Sequence, residues 1–158
     1  MTFPKKIIPP EQAQARLEDL CVRSEHCTGE MRLKLRQWGV AAPDADRIVD
    51  ALVAGKFVDD ERFAGSYVRY KLRFDRWGRR KIQMGLAAKC VDRGIIAAAL
   101  ADIDPDEYLG ILTALLASKT KLHPELLADY DGRTRLFRFA LQRGFESPLI
   151  SKVIKSLI

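Results

Sequence analysis

Apolar residues recur at helical spacing around three positions of the chain, Gly39, Cys90 and Gly144. Around each of these anchor positions, apolar side chains lie eight and four residues before it and one, six, ten and thirteen residues after it. Steps of three and four residues place side chains on one face of an α-helix. The eighteen matched residues are Met31, Leu35, Val40, Ala45, Val49, Leu52, Ile82, Leu86, Val91, Ile96, Leu100, Ile103, Leu136, Ala140, Phe145, Ile150, Ile154 and Leu157. The pattern predicts a pair of helices repeated three times.

A further helix is predicted before this pair in each copy. In the middle copy it spans about residues 60–74, and the acidic residues Asp59 and Asp60 suit its N-cap and first turn. The third copy opens in the same way at Asp104, and the first begins near Glu11. Three aromatic residues are expected on one side of the middle copy's first helix: Phe63, Tyr67 and Tyr70.

The predicted fold is therefore all-α, with three tandem three-helix modules that form an elongated, curved array. The expected module boundaries are 10–55, 56–103 and 104–158. An irregular stretch is expected at about residues 122–133. Glycine at an anchor position suits a left-handed residue at a helix C-terminus. Cys90 would be strained there by ~1 kcal/mol, so its turn either differs or tolerates the strain.

The composition also indicates in which compartment the protein is found. Apolar residues make up 47% of the 158 residues, which suits a globular core, and no run approaches the ~20 apolar residues of a membrane-spanning helix. Lys5 and Lys6 are followed by two prolines, where a signal peptide needs an apolar segment. Three cysteines suit reduced thiols rather than a disulfide framework. We therefore expect a cytoplasmic protein, and a monomer.

Positive charge is concentrated in residues 69–93, which hold nine Lys or Arg residues against two acidic ones, in a chain of net charge +6. Such a block favours a polyanion or an acidic protein surface as partner. Arg80 and Lys81 are expected to point into solvent, so that changing Arg79, Arg80 and Lys81 together to alanine would leave the core intact. The corresponding helices of the other copies also carry bases: Arg32, Lys34, Arg36, Arg133, Arg135, Arg138 and Arg143.

Alternative chemistries find little support in the residues. The acidic run 59–61 could hold a divalent metal, but helix capping explains it better. Cys21, His26 and Cys27 lack the second ligand pair of a zinc site. No phosphate-binding loop, nucleophile or paired acid and base is present, so we expect neither an enzyme nor a cofactor. Trp77 lies within the basic segment and either stacks on a base or partner, or folds back on the core.

Three segments of the chain form recognisable motifs: Phe57-Val58-Asp59-Asp60-Glu61-Arg62-Phe63-Ala64 with Tyr67, Val68 and Arg69; Trp77-Gly78-Arg79-Arg80-Lys81-Ile82 with Leu86 and Val91; and Arg23-Ser24-Glu25 with Met31, Leu35 and Gly39. Together these segments resemble the RecX family of regulatory proteins. The resemblance covers roughly residues 10–158 and is strongest over 23–100. Cys90 stands where the family commonly has glycine.

The resemblance implies tandem three-helix modules that lie in the groove of the filament formed by the recombinase RecA on single-stranded DNA. It implies a role in DNA recombination, DNA repair and the SOS response, by restraint of ATP hydrolysis, strand exchange and filament growth. The expected filament-binding residues are Arg69, Arg73, Arg76, Arg79, Arg80 and Lys81, with Arg32, Arg36, Arg135 and Arg138 in the other modules. The alternative is a stand-alone nucleic-acid-binding helical protein that follows phosphates without reading sequence.

Overall fold

The structure is a computed structural model that describes residues 7–158 as α-helices joined by short turns, with no β-strand in that range. The helices are α1 (Pro10–Arg23), α2 (Thr28–Gln37), α3 (Ala42–Ala54), α4 (Asp60–Arg73), α5 (Arg79–Ala88), α6 (Arg93–Ala101), α7 (Pro105–Leu122), α8 (Tyr130–Gln142) and α9 (Ser147–Leu157). No helix of this part of the chain is long and apolar enough to cross a bilayer. Lys5 and Lys6, on which the signal-peptide argument rests, lie outside the described residues.

The helices form three successive groups of three, which we call module 1 (α1–α3), module 2 (α4–α6) and module 3 (α7–α9). None of the eighteen repeat positions is exposed. In module 2, Ile82 and Leu86 are both 0% exposed. The predicted all-α tandem repeat is therefore confirmed, because the hydrophobic spacing read from the sequence coincides with the buried faces of the helices.

The three anchor positions adopt the same left-handed backbone. The φ angles are 72° at Gly39, 61° at Cys90 and 96° at Gly144. Of the two possibilities for Cys90, the second holds: its turn matches the others, and the strain of ~1 kcal/mol is tolerated. The Cys90 side chain is exposed, so its Cβ has room at this turn.

The two aspartates of the acidic run 59–61, at the start of α4, bind different partners. The Asp59 carboxylate accepts a hydrogen bond from the backbone N–H of Arg62 at 3.0 Å and is the N-cap of α4. The Asp60 carboxylate binds a different helix, as described below. Among the described residues, no group of three or more His, Cys, Asp or Glu side chains is placed to hold a metal.

The Asp59→Ala variant should lose about 1 kcal/mol of unfolding free energy, because an orphan N–H at the start of α4 loses its acceptor. Glu61→Ala is the matched control, since Glu61 lies in the same first turn and contributes only a dipole term of about 0.3–0.5 kcal/mol. Denaturant unfolding of the two variants checks the difference. Mg²⁺ should leave the melting temperature unchanged, and a stabilisation by Mg²⁺ that disappears in Asp59→Ala would favour the metal site instead.

The irregular stretch expected at residues 122–133 is shorter than predicted. α7 continues to Leu122, a 3-10 turn covers Pro124–Leu127, and α8 begins at Tyr130. The Asp129 carboxylate caps α8 by accepting from the backbone N–H of Gly132 at 2.7 Å. A Cβ on Gly132 would lie 2.7 Å from the Glu125 carbonyl oxygen, so the 3-10 turn is packed against the start of α8.

Two hydrophobic clusters form the core. One belongs to module 1 and includes Leu17, Met31 and Leu52, with Val58 from the connection to α4. The other is continuous through modules 2 and 3, and it also takes in Cys27 from the start of α2. The chain exposes 10051 Å² of surface, whereas a compact monomer of this mass exposes about 8,000 Å². A larger surface suits modules that pack chiefly on their neighbours.

Candidate functional site

The basic segment lies on the end of α4, the connection to α5, and α5 itself. Arg69, Arg76 and Arg80 are exposed, and none of the ion pairs found within residues 7–158 involves them. Arg76 adopts φ 55° in the connection. These three guanidinium groups therefore remain free for an outside anion.

Two other cations of the segment are paired on the surface. Arg73 Nε donates to the Glu107 carboxylate at 2.7 Å, and Lys71 Nζ donates to Asp75 at 3.0 Å. The hydrogen bond to Asp75 raises the pKa of the Lys71 amine. Surface pairs of this kind contribute about 0–1 kcal/mol, so a stronger anion can displace either carboxylate.

Arg79 joins module 2 to module 3. Its guanidinium donates to the Glu146 carboxylate at 2.7 Å and lies 3.9 Å from the centre of the Tyr108 ring. Its backbone N–H donates to the Tyr108 hydroxyl at 3.1 Å, and that hydroxyl donates to Glu146. Burial, together with the hydrogen bond to Glu146, raises the pKa of Tyr108 far above its ordinary value. Arg79 therefore has a structural role at this junction.

Backbone groups complete the same junction. The N–H of Gly78 donates to the Arg143 carbonyl at 2.7 Å, and the N–H of Arg80 donates to the Gly144 carbonyl at 3.1 Å. Free N–H groups at a helix start can bind an anion, but these already have partners. The start of α5 therefore does not supply an anion site from its backbone, and its exposed side chains carry the charge.

Lys81 does not point freely into solvent, contrary to the expectation for it. It is half-buried, and its Nζ lies 4.6 Å from the centre of the Trp77 ring. Lys71 Nζ lies 4.5 Å from the same ring. Trp77 is half-buried against the core of modules 2 and 3. Of the two interpretations of Trp77, folding back on the core is the one the structure supports.

The contacts of Arg79 and Lys81 bear on the expected effect of the alanine variant at positions 79–81. Because Arg79 binds Glu146 and Lys81 packs on Trp77, changing either residue to alanine removes a contact, and the effect of the whole variant on the core stays a prediction. Of the three, Arg80 alone is exposed.

Modules 1 and 2 meet at the start of α2. The Asp60 carboxylate accepts from the Thr28 backbone N–H at 2.8 Å and from the Thr28 hydroxyl at 2.7 Å. Lys89 pairs with Glu30 at 3.3 Å. The Cys27 thiol faces the Lys89 carbonyl at 3.8 Å, and burial raises its pKa to about 11. The second helix of a module thus begins against the anchor turn of the module that follows, as it does at Gly78.

The predicted contact residues of the other modules are dispersed. Arg32 pairs with Asp46 at 2.6 Å, whereas Arg36, Arg135 and Arg138 are exposed. Arg36 lines a groove of about 680 Å³ between α2 and α5. Within module 2, Arg69 and Arg73 line one groove of about 310 Å³ between α4 and α6, so these two are brought together. The filament-binding set as a whole stays a prediction.

Two aromatic residues of the basic segment were not anticipated as surface groups. Tyr70 is 55% exposed and Phe74 is 73% exposed. Tyr70 was expected on one side with Phe63 and Tyr67, yet Phe63 is 7% exposed. The signal available in the sequence was the position of Tyr70 and Phe74 at the C-terminal end of α4, among four basic residues.

Tandem three-helix modules, with exposed arginines on the middle one, define a helical repeat protein. Two family models match the positions of modules 2 and 3. The second three-helix domain of RecX matches residues 59–100, and the third three-helix domain of RecX matches residues 106–154. The chain belongs to the RecX family, whose curated members carry the name of a regulatory protein rather than of an enzyme.

Similar proteins extend this match over most of the chain. "Regulatory protein RecX" of Mycobacterium ulcerans is 31% identical over 146 residues, which covers 91% of this chain and 83% of that protein. The protein of the same name from Mycobacterium leprae is 29% identical over 157 residues, covering 96% and 90%. The crystal structure of RecX from Lactobacillus salivarius superimposes with a TM-score of 0.83 at 19% identity, covering 94% of this chain and 96% of that one.

Proposed function

We propose that this chain is a cytoplasmic, monomeric regulator that binds the filament formed by the RecA recombinase on single-stranded DNA. It lies in the filament groove and restrains ATP hydrolysis, strand exchange and filament growth, and so acts in DNA recombination, DNA repair and the SOS response. The observation that carries the proposal is the set of free guanidinium groups at Arg69, Arg76 and Arg80, on the module that matches the family's second domain. The filament offers them an anionic surface of phosphates and acidic side chains.

The joints between modules support restraint as the mode of action. At the junction between modules 2 and 3, the Gly78 and Arg80 N–H groups donate to carbonyl groups of module 3 at 2.7 and 3.1 Å. The Arg79–Glu146 ion pair lies beside these hydrogen bonds. Modules 2 and 3, held in this way, move together. A rigid array that touches more than one filament subunit gains avidity from modest contacts, and it resists the relative motion of subunits during ATP turnover.

One measurement tests the proposal: the ATPase rate of the cognate recombinase on single-stranded DNA, with and without this chain. The rate should fall as the chain is added and saturate near a fixed ratio of chain to recombinase. A preference for recombinase-coated DNA over bare DNA distinguishes this function from that of a stand-alone nucleic-acid-binding protein. An unchanged ATPase rate, with no binding to coated DNA, would overturn the proposal.

A further inference from the structure

The C-terminal end of α4 presents two aromatic side chains to solvent, Tyr70 in the last turn and Phe74 at the C-cap. Tyr70 and Phe74 are 55% and 73% exposed, and their ring centres lie 5.0 Å apart with an angle of 31° between the ring planes. This spacing lies within the range of favourable aromatic contact. The pair therefore forms one continuous apolar surface rather than two isolated side chains.

The core does not account for this surface. The residues of α4 that are buried are Phe63, Ala64, Val68 and Leu72, and the ring of Tyr67 packs at the edge of the core. Leaving two large rings in water forgoes the stabilisation that burial would give, at about 25 cal/mol for each Å² of apolar surface. An adjacent pair of exposed aromatic rings is therefore a candidate for contact with a ligand.

Basic residues lie next to the rings along the chain. Lys71 Nζ lies 5.8 Å from the centre of the Tyr70 ring. Arg76 follows Phe74 by two residues and is exposed, as is Arg69 just before Tyr70. The nearby Trp77 ring is already in contact with two lysine amines at 4.5 and 4.6 Å. Tyr70 and Phe74 are thus the rings of this segment whose surface is open.

Exposed aromatic rings among cations suit one class of ligand in particular. Unpaired nucleic-acid bases stack on aromatic side chains, while neighbouring Lys and Arg residues bind the phosphates. In a duplex the bases cover each other's faces, so a flat ring gains access to them at unpaired positions. We propose that Tyr70 and Phe74 form a stacking site for the bases of single-stranded nucleic acid, with Arg69 and Arg76 on the adjoining phosphates.

This proposal concerns bare nucleic acid and does not rest on the proposed action on the recombinase. An acidic protein surface is the other macromolecule that could meet such a patch. The two partners can be distinguished because stacking requires a base, whereas a protein contact or a purely electrostatic contact does not.

The test uses two oligonucleotides of about 20 residues, longer than the 4–16 nucleotides that one small binding domain typically occupies. One is all thymidine, and the other has the same number of phosphates but abasic sugars. Fluorescence anisotropy measures the affinity of the full chain for each. Base stacking on an aromatic side chain contributes enough to affinity that the thymidine strand should bind at least about fivefold more tightly than the abasic strand.

The informative variant is Y70A/F74A. Its preference for the thymidine strand should disappear, while its weak binding to the abasic strand stays as in the parent. L122A/Y130A is the matched control, since both side chains are 77% exposed and lie in module 3; it should keep the preference. Thermal unfolding of both variants checks that they fold, and a single-site Phe74→Leu variant, which keeps apolar bulk without a ring, provides the same readout should the double variant unfold.

Several results would overturn the stacking site. They are equal affinity of the parent for the two strands, a variant that retains the preference for thymidine, and no binding of the parent to either strand. A variant that loses affinity for recombinase-coated DNA alone, with bare-strand binding unchanged, would also overturn it and assign the patch to a protein contact.

Discussion

Replacing Gly78 with alanine should destabilise the joint between modules 2 and 3 by about 3 kcal/mol or more. A Cβ on Gly78 would lie 2.4 Å from the carbonyl carbon and oxygen of Gly144 and from the backbone nitrogen of Phe145. Backbone atoms cannot move aside as a flexible side chain can. The φ angle of Gly78 is −80°, which any residue adopts, so the whole effect comes from this contact.

The magnitude follows from two terms. Overpacking typically costs about 1–3 kcal/mol. Separating the backbones also weakens the hydrogen bonds from Gly78 to Arg143 and from Arg80 to Gly144, each worth about 1 kcal/mol. For a domain of this size, a loss of that order lowers the melting temperature by roughly 10 °C.

Gly110→Ala is the matched control. Gly110 lies in the interior of α7, and a Cβ there would meet nothing within 4 Å. Because alanine favours a helix over glycine, this variant should gain up to about 1 kcal/mol. Denaturant unfolding compares the two. Equal stabilities for Gly78→Ala and Gly110→Ala would contradict the close approach of modules 2 and 3.

Removing the three free arginines should weaken binding to recombinase-coated single-stranded DNA by at least about tenfold at physiological salt. The variant changes Arg69, Arg76 and Arg80 together to alanine. Since all three side chains are exposed and lack ion-pair partners within the described range, unfolding free energy should change by no more than about 0.5 kcal/mol.

Salt dependence identifies the mechanism. If each arginine neutralises one phosphate, the slope of log affinity against log salt concentration should fall by about 2, because a single strand contributes roughly 0.7 per phosphate. A control variant removes the same charge from exposed positions of module 3, by changing Lys121, Lys152 and Lys155 to alanine. Were both variants to lose affinity and slope equally, net charge rather than this face would be responsible.

Local features of this chain were readable from the sequence. The spacing of apolar residues around Gly39, Cys90 and Gly144 predicted the buried faces, because helical periodicity is set by residues within a few turns. An N-cap at Asp59 or Asp60 was predicted for the same reason, and Asp59 is the one that caps, with its partner Arg62 three residues away.

Contacts between distant segments were not readable. Asp60 binds Thr28, 32 residues away, and Arg79 binds Glu146, 67 residues away; nothing in the local pattern of either residue specifies that partner. Tyr70 shows the converse case. Its spacing from Phe63 suits a buried face, but burial also requires a neighbouring element to cover it, and the end of α4 lacks that cover.

The two hydrophobic clusters imply two cooperative units of unequal size. Modules 2 and 3 share one cluster, so opening either exposes apolar surface of the other, and the pair should unfold as a single foldon. Module 1 has its own cluster, contributes Cys27 to the other one, and is joined to module 2 by polar contacts such as Asp60 to Thr28. Amide protons of α1–α3 can therefore exchange through an opening that leaves α4–α9 intact. Under an applied pulling force, module 1 should separate from modules 2 and 3 before those two unfold.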